Sequence, residues 1–330
     1  MSRFRFLWKT ASRGVLVAAA GLALTLAACG GDDDDFGVDL PDEGDVPTAP
    51  ADDGDDDGDG DTPGGGVLDT VTVDEAFWHS GFMVEVGDAA FVATEPDIFG
   101  EQDFSVTVEV NFNNDGEDLR DFPASVNLVT PEGAISSVFG SDVPNVPPGL
   151  SATGEFVFRV EEDFSFDDAF LLVGDNDDQT ARVPLGPGGG DLVALEPSTP
   201  EVTGVISLEL IDFTITSADL RYDVPVNYEQ VETGKMGLTL NFDATSRRPG
   251  NWSVFAQDFA LQTPGGSSVA PDGVNLPGLP GSEDGLVTTD LYLRFLVDEP
   301  PAGAYTLRFL ADRWTGEDGV TEGSLEFELQ

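Results

Sequence analysis

Val106-Thr107-Val108-Glu109-Val110-Asn111-Phe112 alternates apolar and polar side chains without a break. Successive side chains of an extended strand point to opposite faces, so Val106, Val108, Val110 and Phe112 share one face and Thr107, Glu109 and Asn111 the other. A helix would divide the four apolar residues between opposite sides, so the stretch predicts a half-buried strand. The same form returns 130 positions later, where Met236, Leu238, Leu240 and Phe242 alternate with Gly237, Thr239 and Asn241.

Working outward, the two neighbourhoods stay in step. Leu128-Val129-Thr130-Pro131-Glu132-Gly133 is echoed by Leu261-Gln262-Thr263-Pro264-Gly265-Gly266. Their shared Thr-Pro-x-Gly is turn chemistry, since proline sets φ for the second position and glycine suits the fourth. Phe156, Phe158 and Val160 before Glu161-Glu162 are echoed by Leu293, Phe295 and Val297 before Asp298-Glu299. Three matches in one order predict an internal duplication. Between the copies, Gly186-Pro187-Gly188-Gly189-Gly190 opens a segment running through Pro197 and Pro200. The predicted fold is all-β: two tandem Ig-like antiparallel β-sandwiches, over 67–187 and 202–330, joined by a linker over 188–201. Each copy has room for seven or so strands. The last strand places Leu325, Phe327 and Leu329 inward and Glu326 and Glu328 outward.

The N-terminal region reads differently. Arg3, Arg5, Lys9 and Arg13 precede an uncharged, mostly apolar run of 14 residues, Val15 to Ala28. A membrane span needs roughly 20 residues, so this run predicts the hydrophobic region of a signal peptide, residues 1–28, removed on export. From Gly30 to Gly66 come 15 acidic residues, no basic one, and few large apolar side chains. Such a segment cannot bury a core, and residues 29–66 are predicted to be a disordered tether that its like charges extend beyond about 33 Å. Within it Asp55, Asp57, Asp59 and Gly60 match the first half of a calcium loop, but Gly66 stands where the bidentate Glu belongs. A solvated spacer or a weak Ca²⁺ site both remain open there.

The composition excludes several classes. The 330 residues include 63 acidic against 14 basic side chains, a formal charge of −49, with one His and one Cys. Nucleic acid would repel such a chain. One Cys and one His make neither a structural zinc site nor a disulfide framework. Residues 67–330 carry 48 acidic and 10 basic groups, which predicts a fold stabilised by salt or cations.

Candidate chemistry is sparse. His79, beside Trp78, has no nucleophile-elbow motif nearby and reads either as a packed residue or as a catalytic one. Carboxylates are so numerous that a hydrolytic pair can be imagined anywhere. Asp175 and Asp177, with Asp178, are either a solvated turn or a weak Ca²⁺ site. Trp78, Trp252, Trp314, Tyr222 and Tyr228 either form a stacking platform for sugar rings or pack in the cores. No catalytic residue and no obligate cofactor is predicted.

Two resemblances add to this reading. Leu26-Ala27-Ala28-Cys29 resembles the lipobox of bacterial lipoproteins. That resemblance implies Cys29 as the mature N-terminus, carrying a thioether-linked diacylglycerol and commonly an N-acyl chain, and so attachment to the outer face of the cell membrane. The order Trp78-His79-Ser80-Gly81-Phe82, Val106 to Phe112 with Asn113-Asn114, Leu128 to Gly133, then Pro147-Pro148-Gly149 before Phe156-Val157-Phe158 resembles a family of Ig-like domains of unknown function found in bacterial lipoproteins. It implies a binding or scaffold module with a cell-envelope protein or glycan as partner. The alternatives are a carbohydrate-binding or adhesive lipoprotein and a carboxylate-based hydrolase.

Overall fold

The structure is a computed structural model, and it describes residues 66–95, 98–138, 141–175, 177–310 and 322–330. The lipobox residues Leu26, Ala27, Ala28 and Cys29, the tether with Asp55, Asp57 and Asp59, and Trp314 lie outside the described residues. Among those described, the chain is strands and turns, with one short 3₁₀ turn at Ala256–Asp258. None of their helices is long and apolar enough to cross a membrane.

The first half supplies Gly66–His79 (β1), Phe82–Ala93 (β2), Phe104–Asn114 (β3), Val126–Thr130 (β4), Gly133–Ser136 (β5), Ser151–Val160 (β6), Phe170–Val173 (β7) and Ala181–Pro184 (β8). They form two four-stranded antiparallel sheets, β1-β2-β3-β6 and β5-β4-β7-β8. The second half supplies Gly204–Ser207 (β9), Ile211–Arg221 (β10), Asp223–Val224 (β11), Glu229–Gln230 (β12), Lys235–Ser246 (β13), Gly250–Trp252 (β14), Phe259–Gln262 (β15), Ser268–Val269 (β16), Gly273–Asn275 (β17), Leu279–Gly281 (β18), Leu286–Asp298 (β19), Gly303–Phe309 (β20) and Gly323–Leu329 (β21). Its main sheets run β17-β19-β13-β10-β9 and β16-β15-β20-β21, with β11-β12 and β14-β18 as small ribbons.

The two halves share one topology. Strand β3 lies between β2 and β6 as β13 lies between β10 and β19, and the hairpin β4-β5 beside β7 recurs as β15-β16 beside β20. The immunoglobulin constant type orders its strands A-B-E-D over C-F-G. With β1 set aside, β2 to β8 taken as A to G give A-B-E over D-C-F-G, so the fourth strand has moved to the second sheet. The sandwich is Ig-like in this sense, and the second copy adds β17 beside its fifth strand.

The alternating residues do what their period requires. Val106, Val108, Val110 and Phe112 are buried, and so are Met236, Leu238, Leu240 and Phe242. Each sandwich closes over its own core. The first packs Phe82 against Phe122 at 5.6 Å and Phe112 against Phe156 at 5.6 Å, both edge to face. The second packs Phe213, Phe242, Phe259 and Phe309 with centroids 5.3 to 6.1 Å apart. Edge-to-face pairs suit the ring quadrupole and add to area burial.

The segment expected to be a linker is docked along its length. Val193 bridges Arg182 of β8, the Ala194 carbonyl accepts the Trp78 N–H at 2.8 Å, and Leu195 is buried in the first core. Ser198 then bridges Leu220 of β10, and Val202 enters the second core. The two sandwiches belong to one compact unit.

Candidate functional site

The groove that marks the site is shaped by a junction, and the junction starts at a tight turn. Ser80 and Gly81 both have positive φ, 49° and 77°, and close β1 onto β2 through the pair His79 and Phe82. Two-residue turns of this kind match the strand twist, but they leave the turn N–H groups unpaired within the hairpin. Here the second sandwich supplies the acceptors: Ser80 donates to Gln230 Oε1 at 2.9 Å, and Gly81 to Asp223 Oδ2 at 2.7 Å. The Asp223 carboxylate is almost fully buried, and it also accepts Arg221 Nε at 2.7 Å. Arg221 reaches on to Asp115 of the first sandwich at 3.2 Å. Burial disfavours the Arg221 charge, but hydrogen bonding to Asp223 and the charges of Asp223 and Asp115 outweigh it and raise its pKa.

Tyr228 fills the centre of the junction. It follows the second sandwich's β11, yet its ring belongs to the first core, 5.8 Å from Phe82 and beneath the Arg120 guanidinium at 4.9 Å. Its hydroxyl accepts the Asp118 N–H at 2.9 Å and donates to the Asp118 carbonyl at 2.6 Å. Gly116 makes room for it, since a Cβ there would stand 2.4 Å from the Tyr228 hydroxyl oxygen.

A second clasp lies alongside. Gln179 donates its backbone N–H to the Val231 carbonyl at 2.8 Å and its amide to Glu299 Oε2 at 2.9 Å. Glu299 also accepts the Tyr222 hydroxyl at 2.8 Å; burial and then this partner push the Tyr222 pKa up to about 12. Asp177 and Asp178 offer their backbone carbonyls to Thr233. Asp175 accepts the Ser125 hydroxyl at 2.8 Å. The acidic loop read as a turn or a weak Ca²⁺ site therefore holds the junction through its backbone, and no group of three potential ligands that could hold a metal occurs among the described residues.

His79 sits behind this surface, buried, with Nδ1 2.9 Å from the Ser80 hydroxyl. Burial lowers its pKa to about 4, against the opposing pull of Asp223, the Gln179 backbone and Asp175. It is a neutral imidazole at ordinary pH.

The β11-β12 hairpin, through residues 223–227, forms one wall of a groove of about 340 Å³ on the outer face of the second sandwich. The floor comes from side chains that strand alternation turns away from the core. Thr239 of β13 is paired with Arg294 of β19, which is paired with Gly273 of β17. Asn241, Tyr292 and Asn275 form the next row, and Gly237 lies opposite Arg221. Arg294 grips Asp272 with two parallel bonds, Nε to Oδ1 at 3.2 Å and Nη2 to Oδ2 at 3.1 Å. Pro225, half-exposed Val226 and Asn227 complete the wall. A Cβ on Gly237 would make only ordinary contacts, 3.5 Å from the Arg221 carbonyl and 3.6 Å from Arg294 Cδ, so glycine keeps this floor open without being demanded by packing.

Of the aromatic residues singled out from sequence, the four described ones, Trp78, Trp252, Tyr222 and Tyr228, do not meet in a platform. Trp252 is 2% exposed in the second core with the Arg248 guanidinium over its ring, so it offers no face to a ligand. Trp78 is half-buried on the side of β1 opposite Phe77 and His79. Tyr222 and Tyr228 serve the junction. Tyr292 was missed, and its signal was available: it is the aromatic residue on the polar face of an alternating strand, where Leu291, Leu293, Phe295 and Val297 occupy the buried face. No family model matches this chain, and no curated protein is significantly similar to it.

Proposed function

We propose that the chain is a lipid-anchored extracytoplasmic lipoprotein that acts by binding a cell-envelope component rather than by turnover. The observation that carries this reading is the placement of the sole cysteine, Cys29, directly after Leu26-Ala27-Ala28 at the end of the apolar run. Two acyl chains, each contributing about 0.8 kcal/mol per buried CH₂, hold a protein at a bilayer where one binds only reversibly. The acidic tether then sets the sandwiches off the surface, and headgroup repulsion within about 8 Å at physiological salt favours that stand-off. Two sandwiches clasped by a buried tyrosine and an ion pair on a buried carboxylate present the groove on a supported face, which favours a scaffold with a binding site.

The test is capture of cell-envelope fractions on the immobilised mature chain, beside a Gly237→Leu chain whose groove is filled. The reading expects an envelope component retained by the first and lost from the second. Equal retention by both would remove the groove from the account, and no retention by either would remove the binding function.

A further inference from the structure

We propose that the groove over β10, β13, β19 and β17 binds a neutral, hydroxyl-rich glycan, with Tyr292 as the stacking surface and the Arg294–Asp272 pair as the hydrogen-bonding edge. The inference rests on the binding reading above and supplies its ligand class.

Charge decides against the other classes. The chain as a whole carries −49, which repels anions, while the groove's two carboxylates, Asp223 and Asp272, are already engaged by Arg221 and Arg294 and so are not offered to a cationic peptide. Each guanidinium is matched by its own carboxylate, Asp223 at 2.7 Å and Asp272 at 3.1 Å. The walls therefore present donors and acceptors with little net charge. That combination suits a partner that carries many hydroxyls and no ionised group.

Shape points the same way. A sugar ring has a polar rim and an apolar C–H face, and stacks that face on an aromatic ring. In the groove the half-buried Tyr292 ring and the Pro225–Val226 wall are the apolar surfaces. Thr239, Asn227, Arg294 and Asp272 stand around them as hydroxyl partners. The Arg294 side chain is only 16% exposed and is fixed by its bidentate pair, so little rotamer freedom remains to be lost on binding. A volume of about 340 Å³ lies within the usual range for ligand sites and takes one or two rings. The open floor at Gly237 lets a ring approach the backbone beside Arg221.

The experiment uses the whole mature chain, made soluble by Cys29→Ser, titrated calorimetrically with cellotetraose, maltotetraose and chitotetraose, and with tetragalacturonate as the anionic comparator. At least one neutral tetrasaccharide is expected to bind, and tetragalacturonate is expected not to. Tyr292→Ala should weaken that binding about tenfold, the scale of one lost aromatic contact, and Gly237→Leu should abolish it. Both positions lie on the outer side of their strands, and thermal unfolding of each variant checks that the fold is kept. Failure of all three neutral sugars, tighter binding of tetragalacturonate, or unaltered binding by both variants would overturn the glycan assignment. Envelope capture that survives such a failure leaves the binding function standing with another ligand class; its loss removes both.

Discussion

Tyr228 and His79 are the residues on which the junction turns. Truncating Tyr228 to Ala removes an aromatic ring from the first core, a loss of about 3–5 kcal/mol in chemical denaturation. Tyr228→Phe keeps the ring but removes the hydroxyl that the Asp118 N–H and carbonyl share, a smaller loss of about 0.5–1.5 kcal/mol. Equal losses for the two variants would place the stability in the hydroxyl rather than the ring. His79 gives a pH dependence of fixed sign. Its folded pKa of about 4 lies below the ordinary 6.5, so between these values the unfolded chain binds a proton that the folded chain refuses. Its contribution to stability is at its full value above pH 6.5 and falls as the pH drops towards 4, by about 3 kcal/mol. His79→Gln should flatten that part of the stability curve relative to wild type. Parallel curves would mean that the imidazole titrates alike in both states.

At the scale of elements, the β11-β12 hairpin is what converts two copies into one body. Asp223 serves the Gly81 N–H and Arg221 at once, so Asp223→Ala leaves a buried donor without its partner and Arg221 with Asp115 alone, a cost of about 1–3 kcal/mol. We expect calorimetry to show a single unfolding transition for the wild type and two for Asp223→Ala, as the sandwiches lose their coupling. A single, merely shifted transition in the variant would show that the second clasp at Gln179 and Glu299 suffices.

The strands themselves were legible in the sequence, because a period of two over Val106 to Phe112 and Met236 to Phe242 needs only local chemistry. The three sequence echoes fall on strands in corresponding places of the sheets, although the strand pairing sets Phe158 opposite Val106 but Val297 opposite Met236. The third sequence match is thus displaced by two residues relative to the first, a slip that period-two patterning cannot detect because it preserves the buried face. The docking of the linker and the role of Tyr228 were not legible. The linker docks largely through backbone bonds, to Arg182, Leu220 and Trp78, that leave no side-chain pattern, and a tyrosine in a loop carries no mark of which core it enters. The groove was half legible: its residues alternate outward as expected, but the hairpin wall that makes a face into a groove is a tertiary feature.

For the whole molecule, charge is the governing quantity. Residues 67–330 carry 48 acidic and 10 basic groups, and their mutual repulsion opposes the compact state unless screened. The melting temperature should rise between low and molar salt, and a flat response would show that the surface carboxylates are already compensated. The proposed function puts this acidic, clasped pair of sandwiches outside the cell on acyl chains at Cys29, the sole cysteine. Intact-mass spectrometry of the chain extracted from membranes of a lipoprotein-processing bacterium tests that claim most directly. The account predicts a chain that begins at Cys29 and carries a diacylglyceryl adduct, with or without an N-acyl group. A chain that retains residues 1–28, or that begins elsewhere with Cys29 unmodified, would contradict it.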